Sequence, residues 1–142
     1  MIVIDVNLLL YAYSAPSPKQ EAARAWLETT LSADEPVGLP WPVISAFLRI
    51  TSNTKLPHLR RPVEEATRTV DEWLRQGNVR ELVPGDGHWP LFRRMILEGQ
   101  ATGDLVSDAQ IAALTIEYGG VLYTTDRDFA RFPGLRWKNP LA

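Results

Sequence analysis

Met1-Ile2-Val3-Ile4-Asp5-Val6-Asn7 opens the chain, and this stretch decides the fold. Three β-branched apolar residues in a row predict a strand buried on both faces, as the strands of parallel sheets are. The apolar run then stops at Asp5. A carboxylate directly after a buried strand is costly to desolvate unless it is paired or metal-bound. Asp5 therefore marks a candidate functional site.

The rest of the chain alternates helix and strand patterns. Further strands are expected at residues 37–39, 79–83, 121–123 and 135–137. Helices are expected at residues 8–14, 19–31, 42–50, 62–77, 88–99 and 107–118. A capping box at Ser107-Asp108-Ala109-Gln110 is expected to open the last of them, which is apolar almost all round. The alternation predicts an α/β fold with a central, mostly parallel β-sheet flanked by helices. In such sheets, functional groups collect beyond the carboxyl ends of the strands.

Composition limits the possible classes of protein. The chain has 142 residues and no cysteine, which suits one domain without disulfides or thiolate metal sites. There are 15 Lys and Arg against 17 Asp and Glu, for a formal net charge of −2, so binding of nucleic acid by bulk positive charge is not expected. No leader or membrane-spanning stretch is apparent, and we expect a cytoplasmic protein.

Further aspartates occupy positions like that of Asp5. Asp126 follows the expected strand 121–123 after two threonines, and Asp108 lies in the first turn of the expected buried helix. Asp104 precedes Asp108 by four residues and shares its face if the helical turn extends back that far. Each has an ordinary explanation: a helix dipole for Asp108, a turn for Asp104, and a cap on the following helical turn for Asp128.

Several carboxylates at the ends of neighbouring strands repel one another, and without a cation one or more must take up a proton. Arg127 is the only basic residue adjacent in sequence to any of them. A hard divalent cation such as Mg²⁺ resolves this conflict, because it prefers oxygen ligands and often also binds substrate phosphate. The pattern favours metal-assisted hydrolysis of a phosphodiester. With these acids gathered in one pocket, basic residues would be in excess elsewhere, and the net charge does not count against an RNA substrate.

The same residues carry a family resemblance. The matching segments, in order, are Ile4-Asp5-Val6-Asn7-Leu8-Leu9, Phe47-Leu48-Arg49, Leu105-Val106-Ser107-Asp108-Ala109, Thr124-Thr125-Asp126-Arg127-Asp128-Phe129 and Phe132-Pro133-Gly134-Leu135. This ordered set, which spans nearly the whole chain, resembles PIN-domain proteins and more narrowly the VapC ribonuclease toxins of type II toxin–antitoxin (VapBC) systems.

The resemblance implies a single PIN domain over residues 1–142 with a PIN-like three-layer fold. It implies a Mg²⁺- or Mn²⁺-dependent endoribonuclease that cleaves tRNA or rRNA with metal-activated water. Asp5, Asp108 and Asp126 match the metal-coordinating acids of the family. Asn7 and Thr124 match supporting polar positions, and Asp128 matches an accessory acid. The resemblance also implies a homodimer, neutralised by a cognate VapB-type antitoxin that occupies a groove beside the active site.

One position departs from the family pattern. Ala46 stands where many members have a fourth acid, a glutamate. Three strong acids favour one tightly held ion, and Asp104 is a candidate to compensate. The departure keeps open a degenerate PIN module that binds antitoxin or RNA without efficient catalysis. Phosphotransfer through Asp5 is a lesser alternative, since Asn7 replaces the usual second acid and Lys19, Lys55 and Lys138 are expected in loops or at helix starts.

Candidate contacts to RNA and partners are less specific. Arg49, on the helix that carries a family match, and Arg127 are the preferred phosphate contacts among the arginines. Trp26 and Trp73 are expected in the core, whereas the pattern leaves Trp41 and Trp89 undecided. His58 and His88 are expected at the surface. The expected loop 52–61 and helix 62–77 are candidate contact regions for an antitoxin or a second copy.

Overall fold

The computed structural model describes residues 1–14, 16–53, 55 and 61–142. Its strands are β1 (Ile2–Ile4), β2 (Val37–Pro40), β3 (Val79–Leu82), β4 (Val121–Tyr123) and β5 (Trp137–Lys138). Its helices are α1 (Val6–Tyr13), α2 (Pro18–Leu31), α3 (Trp41–Thr51), α4 (Val63–Arg75), α5 (His88–Glu98) and α6 (Leu105–Glu117), followed by a 3-10 turn at Arg127–Arg131. Most of the expected loop 52–61, including His58, lies outside the described residues.

The strands form one sheet in the order β3-β2-β1-β4-β5, and each of the pairings in this part of the chain is parallel. The predicted α/β fold with helices around a central sheet is confirmed. β1 occupies the centre, and its three residues are buried, as expected for a β-branched strand covered on both faces. No helix in the described part of the chain is long and apolar enough to cross a membrane.

Asp5 is the single residue between the end of β1 and the start of α1. Its Oδ1 accepts a 2.8 Å hydrogen bond from the Val6 backbone N–H, so Asp5 is the N-cap of the helix. α1 therefore starts at Val6, two residues before the predicted start at residue 8. The carboxyl edge of the sheet and the first turn of α1 are consequently fixed by the same side chain.

α6 also begins earlier than predicted, and the expected capping box at Ser107 is wrong. The helix starts at Leu105 with Asp104 at the N-cap, and the Asp104 side chain makes no capping hydrogen bond. Backbone hydrogen bonds from Leu105 to Thr102 and from Val106 to Gly103 close the first turn instead. This extension of the helix puts Asp104 one turn before Asp108, as the sequence allowed.

Two glycines join α6 tightly to β4. Gly119 ends the helix region with φ of +68°, a conformation that favours glycine. A Cβ at Gly120 would lie 2.8 Å from Cγ2 of Val3, so the chain passes against β1 where a side chain does not fit. The residues of α6 from Ile111 to Thr115 are buried, and the helix contacts β4.

Two expectations about burial need correction. Val63, predicted to face inward at the start of α4, is 48% exposed, although Ala66, Val70 and Trp73 of the same helix are buried. His88, predicted at the surface, is buried. Its Nε2 accepts from the Gln110 amide at 3.3 Å, so its Nδ1 carries the hydrogen and donates to Glu117 at 3.0 Å. Pairing with α6 residues far along the chain satisfies both ring nitrogens and makes burial possible.

Candidate active site

The ends of β1 and β4 form one edge. Ile4 pairs with Tyr123, and the Asp5 backbone N–H donates to the Tyr123 carbonyl at 3.1 Å. The residues that follow each strand, Asp5 and Thr124, therefore lie side by side. This parallel register brings together two segments that are more than a hundred residues apart.

Asp5 is only 4% exposed and is surrounded by neutral donors. Besides the Val6 N–H at Oδ1, its Oδ2 accepts a 2.7 Å hydrogen bond from the hydroxyl of Thr124. Burial raises the pKa of Asp5 to about 6; these two hydrogen bonds lower it, and the charge of Asp126 adds to the rise. The carboxylate is fixed in position, and no basic side chain among the described residues pairs with it.

Thr124 links the polar groups of the site. It donates to Asp5 and accepts from the Asp126 backbone N–H at 3.0 Å and from Nδ2 of Asn7 at 3.4 Å. Since its one hydrogen goes to Asp5, Asn7 must present its NH₂ group to Thr124. Oδ1 of Asn7 is then left buried with no hydrogen-bond partner among the described residues. A buried acceptor of this kind is completed by an ordered water or a cation.

Asp108 lies on the first turn of α6 and is half-buried. Burial and, after it, the charges of four other acids together raise its pKa to about 7; the acids are Asp5, Asp126, Asp128 and Asp104. The structure thus places the other four aspartates singled out in the sequence within electrostatic range of Asp108.

Asp126, rather than Asp128, caps the helical turn after β4. Its Oδ1 accepts from the Asp128 backbone N–H at 2.9 Å, so the expectation that Asp128 is the cap is wrong. A capping carboxylate must precede the turn whose N–H groups it receives, and Asp126 has that position. Asp126 is half-buried beside Thr124, whereas Asp128 and Asp104 are exposed.

The donor set fits a hard divalent cation in an open site. None of the three ion pairs formed by the described residues includes one of these acids. Within the same residues, no three acidic or histidine side chains are arranged to hold a metal ion by themselves. Mg²⁺ does not require three protein ligands, because it retains several waters and binds through one or two carboxylates together with substrate phosphate. Oδ1 of Asn7, which has no hydrogen-bond partner among the described residues, is a further oxygen atom able to coordinate a cation.

The remaining candidate residues make no hydrogen bond or ion pair with the acids among the described residues. Arg127 is exposed and directly follows Asp126. Arg49 is exposed in the last turn of α3, eight residues after Trp41, and so lies about 12 Å along the helix axis from the first residue of α3. Ala46, half-buried in the same helix, supplies no polar group. Lys138, expected in a loop or helix start, lies in β5 with its ammonium 5.7 Å from the Tyr123 ring centroid.

A cavity of about 460 Å³ lies elsewhere, between α1, α2 and α4. Tyr13, Arg24, Arg61 and Trp73 contribute to its lining, and none of the five aspartates does. The acids therefore lie outside this cavity, at the carboxyl edge of the sheet.

Comparison with protein families agrees with this architecture. The PIN-domain family model matches residues 2–135, which is nearly the whole chain. The chain belongs to the PIN-domain family. Within that family it groups with the VapC proteins: Ribonuclease VapC33 of Mycobacterium tuberculosis is 36% identical over 141 residues, which cover 99% of each chain.

Solved structures with the same fold include VapBC proteins. VapBC2 of Rickettsia felis, bound to a DNA fragment from its promoter, contains a chain that matches with a TM-score of 0.71 and 18% identity over 98% of both chains. VapC20 of Mycobacterium tuberculosis, described as a Sarcin-Ricin loop cleaving toxin, matches with a TM-score of 0.65 and 15% identity, covering 96% of this chain and 99% of that one. At these identities the likeness shows the shared fold.

Proposed function

We propose that this chain is the ribonuclease toxin of a VapBC-type toxin–antitoxin pair, and that it cleaves RNA with the help of Mg²⁺ or Mn²⁺. The observation that carries the proposal is the gathering of Asp5, Asp108 and Asp126 at the carboxyl edge of the sheet with no basic partner among the described residues. The raised pKa values of Asp5 and Asp108 reflect burial and, to a lesser extent, repulsion between these acids, which a divalent cation would relieve.

In this proposal Asp5, Asp108 and Asp126 hold the cation, with Asn7 Oδ1 as a further oxygen donor. When bound, the cation supplies charge stabilisation at the phosphodiester and lowers the pKa of water. Thr124 acts as a positioning residue, because it holds Asp5, Asp126 and Asn7 in one hydrogen-bonded group. Asp128 and Asp104 are exposed and contribute negative charge around the site.

We propose one ion rather than two, since Ala46 offers no fourth carboxylate. We propose tRNA or rRNA as the substrate class, in keeping with the ribonuclease names of the similar proteins. We further propose a homodimer in the cytoplasm, neutralised by a VapB-type antitoxin. Solved VapBC complexes with this fold support the antitoxin as partner.

The decisive experiment uses the purified full chain with total tRNA and rRNA. We expect endonucleolytic cleavage with Mg²⁺ or Mn²⁺, loss of cleavage on addition of EDTA, and recovery on addition of excess metal. Asp5→Asn should abolish cleavage and growth toxicity, whereas Asp34→Asn, a change at an exposed acid far along the chain, should leave both unchanged.

Two results would contradict the proposal in different ways. Cleavage that persists in EDTA would refute the metal mechanism. RNA or antitoxin binding without cleavage under any metal would indicate a degenerate PIN module, the alternative that Ala46 leaves open.

A further inference from the structure

Trp41 lies at the same edge of the sheet as the acids. In the register of β1 and β2, Ile2 pairs with Val37 and Val3 with Gly38, so continuing it by two residues brings Asp5 level with Pro40. Both residues are still extended, with ψ of 155° and 139°. Trp41 is the next residue, and its backbone therefore begins roughly 6 Å from that of Asp5.

The indole is presented to solvent rather than used in the core. Trp41 is 41% exposed. Three other tryptophans are paired with aromatic rings, Trp26 with Tyr123, Trp73 with Phe47 and Trp89 with Phe92, and Trp137 packs against the core. In the described part of the chain, Trp41 has neither an aromatic partner nor a hydrogen bond from its side chain. Its large apolar face is thus available to a ligand.

The backbone that carries this ring is stiff. Trp41 stands between Pro40 and Pro42, which fix their own φ angles and restrict the residue before each. It is also the first residue of α3, whose next turns are anchored by buried Val43, Ile44 and Phe47. A rigid platform loses little conformational entropy when a ligand stacks on it.

We infer that Trp41 is a substrate-positioning residue: its indole stacks on an unpaired base of the RNA next to the scissile phosphodiester. The inference rests on the proposed ribonuclease function and deepens it, by assigning a substrate with an unpaired nucleotide at the cleavage site. Specific RNA recognition commonly stacks splayed-out bases on aromatic side chains, and tryptophan offers the largest such surface.

RNA is favoured over a protein partner by the surroundings of the ring. Protein docking sites present contiguous apolar patches. Of the other exposed large apolar residues, Val83 directly follows β3 and is level with Trp41 in the register of β2 and β3, whereas the rest lie on other elements: Val63, Trp89, Leu97 and Tyr118. One turn after Trp41, at a position that shares its face of α3, stands the exposed Ser45. A tryptophan beside a phosphate-directed site, with a single exposed valine next to it in the register, is suited to a base.

The test measures binding separately from cleavage. In the Asp5→Asn protein, the dissociation constant for a fluorescently labelled RNA stem-loop with an unpaired loop is compared with and without Trp41→Ala. We expect Trp41→Ala to weaken binding roughly 5- to 100-fold, and Trp41→Phe to restore most of it, because stacking needs any aromatic face. The slope of affinity against salt concentration should not change, because no phosphate contact is lost.

Trp89→Ala is the matched control. Trp89 is 61% exposed. Its neighbour His88 contacts Glu117, which follows Asp108 by nine residues on α6 and so lies about 13 Å from Asp108 along the helix axis. Its removal should leave the dissociation constant within two-fold. With Asp5 intact, Trp41→Ala should raise KM for the stem-loop and leave kcat within about three-fold, a split that a loss of folded protein does not produce.

A second measurement does not depend on the alanine variant. RNA added to the Asp5→Asn protein should quench tryptophan fluorescence more than RNA added to Asp5→Asn/Trp41→Phe, because only Trp41 stacks on a base. Equal quenching, or an RNA affinity that Trp41→Ala leaves within two-fold while the parent protein cleaves RNA, overturns the inference and leaves the ribonuclease function standing. Weaker binding of a protein partner with unchanged RNA affinity also overturns it. A parent protein that neither binds nor cleaves RNA refutes both.

Discussion

The hydroxyl of Thr124 donates a 2.7 Å hydrogen bond to Oδ2 of Asp5, across 119 residues of sequence. This bond joins the ends of β1 and β4 and lowers the pKa of a carboxyl group that burial raises to about 6. It thereby keeps Asp5 closer to its charged form, which is the form a cation requires. The same hydroxyl oxygen receives Asn7 and the Asp126 backbone, so the geometry of the site depends on it.

Thr124→Val removes this hydroxyl with little change in shape. The pKa of Asp5 should then rise above about 6, and the Mg²⁺ or Mn²⁺ concentration for half-maximal cleavage should increase roughly 10- to 100-fold at pH 7. Raising the pH to about 8.5 should recover part of the loss, because it ionises Asp5 again. Thr115→Val is the control: Thr115 is also buried but donates to the Ile111 carbonyl, so its loss should change stability and not the metal dependence. An unchanged metal requirement in Thr124→Val would contradict the role given to Thr124.

Asp5→Asn removes a buried charge and retains an N-cap side chain for α1. Cleavage should fall by at least roughly two orders of magnitude, since a proposed ligand of the cation is lost. At pH 8 in EDTA, the free energy of unfolding should increase by about 1–3 kcal/mol, because the buried, uncompensated carboxylate is removed. Urea unfolding measures this gain, with the exposed Asp34→Asn as the reference that should not change. A less stable Asp5→Asn protein would mean that Asp5 stabilises the fold through its charge.

The stability of the metal-free protein should decrease as pH rises from about 4 to 7. The unfolded carboxyl groups titrate near 3.8, whereas in the folded chain the pKa values of Asp5 and Asp108 are raised to about 6 and about 7. Between these values the folded state binds more protons than the unfolded state, so the free energy of unfolding falls with pH. The destabilisation is absent below the unfolded pKa and complete above the folded ones.

Urea midpoints in EDTA at pH 5 and pH 8 test this dependence. The double variant Asp5→Asn/Asp108→Asn should show a flatter profile over that interval. Added Mg²⁺ or Mn²⁺ should stabilise the parent protein more at pH 8 than at pH 5, because protons compete with the cation for the carboxylates. Identical profiles for the parent and the double variant would show that these two groups do not carry the effect.

Asp108 and Asp104, one helical turn apart, should differ sharply. Asp108 is half-buried among the other acids, whereas Asp104 is exposed at the N-cap and its side chain makes no capping bond. We expect Asp108→Asn to reduce cleavage by roughly 100-fold or more and Asp104→Asn to reduce it less than about five-fold, since Asp104 acts only through solvent-screened charge. Initial rates with equal metal settle the comparison. Equal losses in the two variants would mean that Asp104 compensates for the carboxylate missing at Ala46.

The exposed arginines Arg127 and Arg49 should contribute through phosphate charge. Removing either by alanine substitution should weaken RNA binding a few-fold and reduce the slope of affinity against salt by about 0.7, as expected for one phosphate contact on a single strand. Arg127 should have the larger effect because it directly follows Asp126. Arg94→Ala, at an exposed arginine paired with Glu98, is the control that should leave the slope unchanged.

Local sequence was sufficient for the framework of this protein. The β-branched run before Asp5, the strand before Thr124 and the helical spacing of apolar residues predicted the α/β fold and its five strands. The same local order placed acids after strands, and the parallel alignment of strand ends made their convergence foreseeable. These patterns can be read from a single sequence, because burial of a strand on both faces and the periodicity of a helix each determine the residue types of a few neighbouring positions.

Only the tertiary structure decided how the groups of the site act on one another. The start of α6 at Leu105, the capping role of Asp126 and the burial of His88 against Glu117 and Gln110 depend on contacts made after folding. So do the raised pKa values of Asp5 and Asp108 and the position of Trp41 at the start of α3, beside the acids. Desolvation, strand register and hydrogen-bond pairing are set by partners distant in sequence, and no local pattern encodes them.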